Sequence, residues 1–182
     1  MRRAKPEKRE LLPDVRYNSL NLQTMVKHVL KKGKKSLAVS LIYDAMDLIK
    51  ERTGKSAIEV FDVALKNVSP VMEVRPRRVG GATYQVPMEV SSDRRTTLAI
   101  RWLLSAAHER AGKSFSDKLA SELIDASNET GSAIRKRDET HKMAEANRAF
   151  SHYRVQSLSK ELGIQPEWHV SIRLRSIAIL GS

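Results

Sequence analysis

Apolar positions recur at helical spacing through most of the chain. Residues 19–30 place Leu22, Met25, Val26, Val29 and Leu30 on one face, which predicts a helix. A second helix over 37–52 follows from Leu37, Ala38, Leu41, Ile42, Ala45, Leu48 and Ile49. Between them, Lys31-Lys32-Gly33-Lys34-Lys35-Ser36 breaks the period, with Gly33 suited to the C′ position and Ser36 to the next N-cap. Thr53-Gly54 ends the second helix. Ser56 and Glu59 have capping-box spacing and open a third, carrying Val60, Phe61, Ala64, Leu65 and Val68 and stopping before Pro70.

The period changes from helical to alternating at 71. Met72, Val74, Tyr84, Val86, Met88 and Val90 fall in one alternating apolar register around Gly80-Gly81, which predicts a β-hairpin over about 71–90. Val74 and Val86 are expected to share the apolar face that holds it to the helices. Pro76 and Pro87 confine both strands to sheet edges, so the ribbon should have no third strand and should stand out from the body. At about 3.3 Å per residue it would reach roughly 25–30 Å. Helical spacing returns with Leu98, Ala99, Trp102, Leu103, Ala106 and Ala107. After a break at Gly112, Ser114 and Asp117 open a helix with Phe115, Leu119, Leu123, Ile124 and Ala126 inward. A turn over 128–131 precedes a last helix, capped by Ser132 and running to about Tyr153, with Ile134, Met143, Ala146 and Phe150 toward the core. The expected fold is mainly α: a six-helix body with one protruding two-stranded antiparallel β-hairpin. Residues 1–18 lack periodicity and read as a flexible basic arm, 19–154 as the helical domain, and 155–182 as a C-terminal extension.

Composition adds a partner to this picture. The chain has 182 residues and a net charge of +12. The excess is uneven: residues 1–35 carry eleven basic and three acidic side chains, and 132–154 six and three, while the regular helices between are near neutral. Basic clusters around neutral helices favour a polyanion-binding surface, with nucleic acid the commonest partner. There is no cysteine, which excludes a disulfide scaffold, a Cys-ligated zinc site and a thiol nucleophile. No apolar run reaches the roughly 20 residues of a membrane span, and the basic start is not followed by the apolar stretch of a secretory signal.

Catalytic motifs are weak by comparison. Thr53-Gly54-Lys55-Ser56 and Gly112-Lys113-Ser114 resemble the end of a phosphate-binding loop, but Ile49 and Ala107 stand where the first glycine belongs. His28, His108, His141, His152 and His169 lack the close spacing of paired metal ligands. Glu122 with Asp125, and Asp138 with Glu139, read as ion-pair partners of neighbouring cations. No metal, cofactor or catalytic residue is expected, and the chain does not read as an enzyme.

The nucleic-acid candidates are more coherent. Lys31, Lys32, Lys34 and Lys35 crowd a helix–helix turn, where a phosphate would meet ammonium groups and the free N–H groups of the next helix. Arg75, Arg77 and Arg78 flank the ribbon tip, with Tyr84 across from them as a stacking face. Arg94 and Arg95 mark the ribbon base, and Arg135, Lys136 and Arg137 open the last helix. Arg2, Arg3, Lys5 and Lys113 complete the set. An architectural DNA-binding protein with β-arms is a rival reading, but such arms use a proline wedge at the tip, and here the tip is Gly-Gly. An enzyme acting on RNA is a second rival, for which no carboxylate or histidine cluster is found.

The run Arg77-Arg78-Val79-Gly80-Gly81-Ala82-Thr83-Tyr84-Gln85-Val86-Pro87 closely resembles the hairpin signature of the bacterial-type ribosomal protein seven family of the small subunit. Gly33-Lys34-Lys35-Ser36, the run from Leu98 to Leu104 and the run from His141 to Arg154 resemble it too. The resemblance covers about residues 1–154. It implies a structural, RNA-binding protein that binds the 3′ major domain of small-subunit ribosomal RNA and seeds assembly of the head before proteins nine, thirteen and nineteen. It also implies a place beside protein eleven and the exit site for tRNA, with Val79, Gly80, Gly81, Ala82, Thr83, Tyr84, Gln85 and Trp102 at that edge. The compartment implied is the cytoplasm of a bacterium or an organelle that holds ribosomes. Residues 155–182 depart from the family. Trp168, Val170, Ile172 and Leu174 alternate there, which suggests an added strand.

Overall fold

The computed structural model describes residues 11–153. Six α-helices and one hairpin form the body: α1 (Leu20–Val29), α2 (Lys35–Thr53), α3 (Ala57–Val68), β1 (Met72–Val79), β2 (Ala82–Glu89), α4 (Ser92–Glu109), α5 (Phe115–Ser127) and α6 (Ser132–Ala146). A short 3₁₀ helix over Arg148–Tyr153 follows. The expected mainly α architecture with one two-stranded antiparallel sheet is the one observed. The strand expected within 155–182 lies outside the described residues.

α5 is the central element. It packs against α2, α3 and α4, and Leu119, Ala120, Leu123 and Ala126 are buried along it. The core is aliphatic apart from Phe61, as a chain with 5% aromatic residues requires. One charged residue sits in the middle of it. Glu122 is 0% exposed and accepts from Arg110 Nε at 2.5 Å and from the backbone N–H of Ala133 at 3.0 Å. Arg110 also pairs with Asp125. Burial acts to lower the Arg110 pKa, but the bonds to Asp125 and Glu122 outweigh it and raise it. A buried carboxylate is tolerable only when paired in this way.

Several helix ends differ from the sequence reading. The turn between α1 and α2 closes with Lys34 N–H on Lys31 O at 3.2 Å, with φ positive at both Lys32 and Gly33. Gly33 therefore serves a tight turn rather than the end of α1. The N-cap of α2 is Lys34 rather than Ser36, because that turn already delivers the chain in helical direction at Lys35. Ser56 is the N-cap of α3 but makes no side-chain cap bond, so the capping box is not closed. The N-cap of α6 is Gly131, not Ser132. Its φ is +100°, and an added Cβ would lie 3.0 Å from Glu122 Oε1. The buried glutamate supplies the cap that the serine was expected to give.

The last helix is shorter than its pattern suggested. Asn147 Nδ2 and its backbone N–H both donate to Met143 O, ending α6 there. Met143 and Ala146, expected inward, are exposed. The inward stripe is Ala133, Ile134, Arg137, His141 and Ala144. Arg137 donates to Asn67 O at 2.6 Å, and His141 Nε2 accepts from Val71 N–H at 3.1 Å.

The hairpin closes through Gly80 and Gly81, both at positive φ, as a two-residue turn between right-twisted strands demands. That turn fixes the register: Val74 faces Pro87, Arg75 faces Val86 and Arg77 faces Tyr84. Directly opposed residues share a face, so Val74 and Val86 lie on opposite faces rather than one apolar face. Each strand alternates as expected, but a two-residue turn pairs even positions of one strand with odd positions of the other. Val86 and Pro87 are both buried, so the ribbon base is covered on both sides. β1 lies along α6, and β2 also meets the 3₁₀ helix.

Candidate nucleic-acid interface

The basic residues of the sequence resolve into groups with different surroundings. At the turn before α2, Lys31, Lys32, Lys34 and Lys35 are all exposed and form no ion pair among the described residues. The first turn of α2 has no acidic residue and its N-cap gives no side-chain bond, so the positive end of that helix is uncompensated.

The fold brings further cations to this turn. A cleft of about 680 Å³ lies between it and the adjoining parts of α4 and α5. Lys31, Lys32, Lys34, Arg101, Lys113 and Lys118 line it, and among the described residues no carboxylate does. Lys113 was expected in an RNA-facing set; Arg101 and Lys118 were not. Arg101 falls one turn from apolar neighbours on α4, where a lone arginine looks like ordinary solvated surface.

The ribbon base is arranged differently. Glu73, 7% exposed, accepts from Arg75 Nε at 2.5 Å and from Arg94 Nε at 2.9 and 3.0 Å. Arg95 Nε donates to Val90 O at 2.8 Å. Arg94 ties Glu73 of β1 to the start of α4 and Arg95 ties Val90 there, while Arg75 braces the same carboxylate from within the strand; the Arg75 and Arg94 side chains stay about half exposed. Toward the tip, Arg78, Gly80, Gly81, Ala82, Thr83 and Gln85 are exposed, and Arg77 is half-buried. Val79 is the last residue of β1.

Tyr84 is not a free stacking face. Its ring lies 5.0 Å from Tyr153 at 28° and 5.3 Å from Phe150 at 49°. The 3₁₀ helix thus carries two aromatic rings onto β2, and Tyr84 anchors the ribbon there. The partner rings follow the break at Asn147, which no helical period announces.

At the start of α6, Arg135 is exposed and has no ion-pair partner among the described residues, Lys136 pairs loosely with Glu139 at 3.4 Å, and Arg137 is tied to Asn67 O and Asp138. Trp102 is half-buried against the core on α4. Arg2, Arg3 and Lys5 lie outside the described residues. Of the arm expected over 1–18, Asp14 is buried. It accepts from the backbone of Arg16 and Tyr17 and from the Tyr43 hydroxyl at 2.9 Å, while Arg16 pairs with Asp47 at 2.6 Å. Burial, then the bond to Asp14, pushes the Tyr43 hydroxyl pKa up. Among the described residues no group of three His, Asp or Glu could hold a metal ion, and no helix is long and apolar enough to cross a membrane.

A helical body with an uncompensated cationic turn and a basic ribbon laid along α6 defines a class of protein whose electrostatics suit an extended anionic surface. The family model for ribosomal protein S7p/S5e matches residues 1–148. A protein named small ribosomal subunit protein uS7 from Pelotomaculum thermopropionicum is 61% identical over 84% of this chain and 98% of its own. Proteins of the same name from Arthrospira platensis and Thermosynechococcus vestitus are 57% and 56% identical over the same shares. The chain belongs to the ribosomal protein S7p/S5e family. Its role is that of a structural ribosomal constituent in translation, and it is not an enzyme.

Proposed function

We propose that this chain is a constituent of the small ribosomal subunit that docks directly on the 3′ major domain of the ribosomal RNA. In this reading it seeds assembly of the head and neighbours proteins nine, eleven, thirteen and nineteen. The hairpin tip, Val79 to Gln85, and Trp102 face the exit site for tRNA. Residues 19–154 form the RNA-binding body, the segment before them a basic arm, and 155–182 an added extension. The compartment is that of the ribosome it serves, in a bacterial cytoplasm or an organelle.

The observation that carries the reading is the set of unpaired cations on a family-matched body. Among the described residues, Lys31, Lys32, Lys34, Lys35, Lys113, Arg78 and Arg135 pair with no carboxylate. Phosphates can take that place, which makes affinity salt-dependent, while the fixed ribbon and turn supply shape selectivity. The test is a binding titration of the full chain with 3′ major domain RNA, an equally long RNA from another domain, and duplex DNA. Preference for the first, with steep salt dependence, supports the proposal. Equal binding to all three defeats it, and tighter binding to the duplex favours an architectural DNA protein.

A further inference from the structure

The cleft beside the lysine turn has two kinds of wall. Beside the cations already described, an apolar set lines it: Leu37, Leu41, Leu104 and the ring of Phe115. Leu37 was expected to pack inward, yet it is 53% exposed. His108 and Phe115 stand on one wall with ring centroids 4.9 Å apart at 32°. Phosphate contacts alone require none of these apolar and aromatic groups.

We infer that this cleft takes one unstacked nucleotide of a single-stranded RNA segment, with the base against His108 and Phe115 and the flanking phosphates on Lys31, Lys34 and Lys113. The inference rests on the RNA-binding reading above and adds a subsite to it. Three features select this occupant. The volume, about 680 Å³, falls within the range of small-molecule sites, roughly 300–1,000 Å³, and leaves room for a nucleotide. Among the described residues, six cations and no carboxylate line the cleft together with apolar side chains, which calls for an anion that carries an apolar face. A nucleotide combines both, and splayed bases in RNA loops stack on aromatic side chains in this way. A duplex presents no free base face and would engage only the cations.

The test compares two probes of equal charge on the full chain: hexauridylate, whose bases are unstacked, and an abasic ribose-phosphate hexamer. Base stacking should make the first bind about tenfold tighter. Methyl resonances of Leu37, Leu41 and Leu104 should shift with hexauridylate and not with the abasic chain. Phe115→Leu keeps an apolar side chain and His108→Gln alters an exposed position; each should bring the affinity ratio toward one. Arg78→Ala, away from the cleft, should lower both affinities and leave the ratio alone. A ratio of one in the unaltered protein, with 3′ major domain RNA still bound, would sink the nucleotide pocket while leaving the RNA-binding reading intact. Failure of that RNA and both hexamers to bind would remove both. If an acidic peptide with apolar residues shifts the cleft methyls and hexauridylate does not, the cleft is a protein dock and the inference is wrong.

Discussion

Glu73→Gln separates the two tasks of the arginines at the ribbon base. Gln keeps the shape of the side chain and removes its charge. In the native chain the carboxylate takes Arg75 at 2.5 Å and Arg94 at 2.9 and 3.0 Å. Charge-assisted hydrogen bonds contribute about 1.5–3 kcal/mol each and neutral ones about 0.5–1.5, so two weakened partners would cost about 2–3 kcal/mol if fully buried. Both arginine side chains are about half exposed, and water recovers part of that loss. The expected destabilisation is about 1–2 kcal/mol, a melting-temperature drop of roughly 2–8 °C for a chain of this size. RNA binding should move the other way. Arg75 and Arg94 are released from their carboxylate and become available to phosphates, so the log–log salt slope should steepen by up to about 0.7–0.9 for each. The assays are denaturant or thermal unfolding of the free protein and salt titration of its complex with 3′ major domain RNA. A stability loss with an unchanged slope would mean the two arginines do not face RNA and serve only as a clasp. A change below about 0.5 kcal/mol, the usual range for an uninvolved surface site, would mean that the clasp does not hold the ribbon at all.

Four further outcomes follow from the same geometry. Arg110→Ala strands the fully buried Glu122 and should cost about 3–5 kcal/mol in denaturant unfolding. Gly131→Ala forces a side chain into positive φ against Glu122 Oε1 and should cost about 1 kcal/mol or more in the same assay. Replacing Lys31, Lys32, Lys34 and Lys35 together with Ala should lower the salt slope by up to about 3 units, since each phosphate contact gives about 0.7–0.9, with the melting temperature nearly unchanged because all four are exposed. Val86→Ala should lower stability by about 1–3 kcal/mol, because Val86 is fully buried, and should leave the salt slope alone; a flattened slope would put RNA, not helix, against that face.

The legible parts of this chain are those where burial is apolar. α2, α3, α4 and α5 bury rows such as Ile42, Ala45 and Ile49 or Leu119, Leu123 and Ala126, and such rows stand out at helical spacing. The hairpin was legible because its two-glycine turn and two edge prolines are local signals. Its facing was not, because register depends on the length of the turn as well as on alternation within each strand. The basic turn and Lys113 were legible as charge; their joining with Arg101 and Lys118 into one cleft was not, because it depends on how α4 and α5 approach the turn.

α6 shows why the hardest element to read lies at a candidate interface. α6 carries Arg135, Lys136, Arg137 and Lys142 and buries few apolar side chains, Ala133, Ile134 and Ala144, so apolar spacing marks its inner face poorly. Its attachment to the body then falls to polar groups. Arg137 satisfies the carbonyl of Asn67 at the end of α3, His141 takes the N–H of Val71 at the start of the ribbon, and Glu122 of α5 caps its first turn through Ala133. Each bond serves a backbone group that the end of another element leaves open. The inward stripe therefore alternates Ala133 and Ile134 with Arg137 and His141, and apolar spacing pointed instead to Met143 and Ala146, which face outward. An arginine count along this helix overstates what is free for a partner: Arg135 has no ion-pair partner among the described residues, while Arg137 is held by the fold. In a basic protein the sequence shows where charge is concentrated, but the division between cations that hold the fold and cations left for a partner is set by which backbone ends and carboxylates they meet.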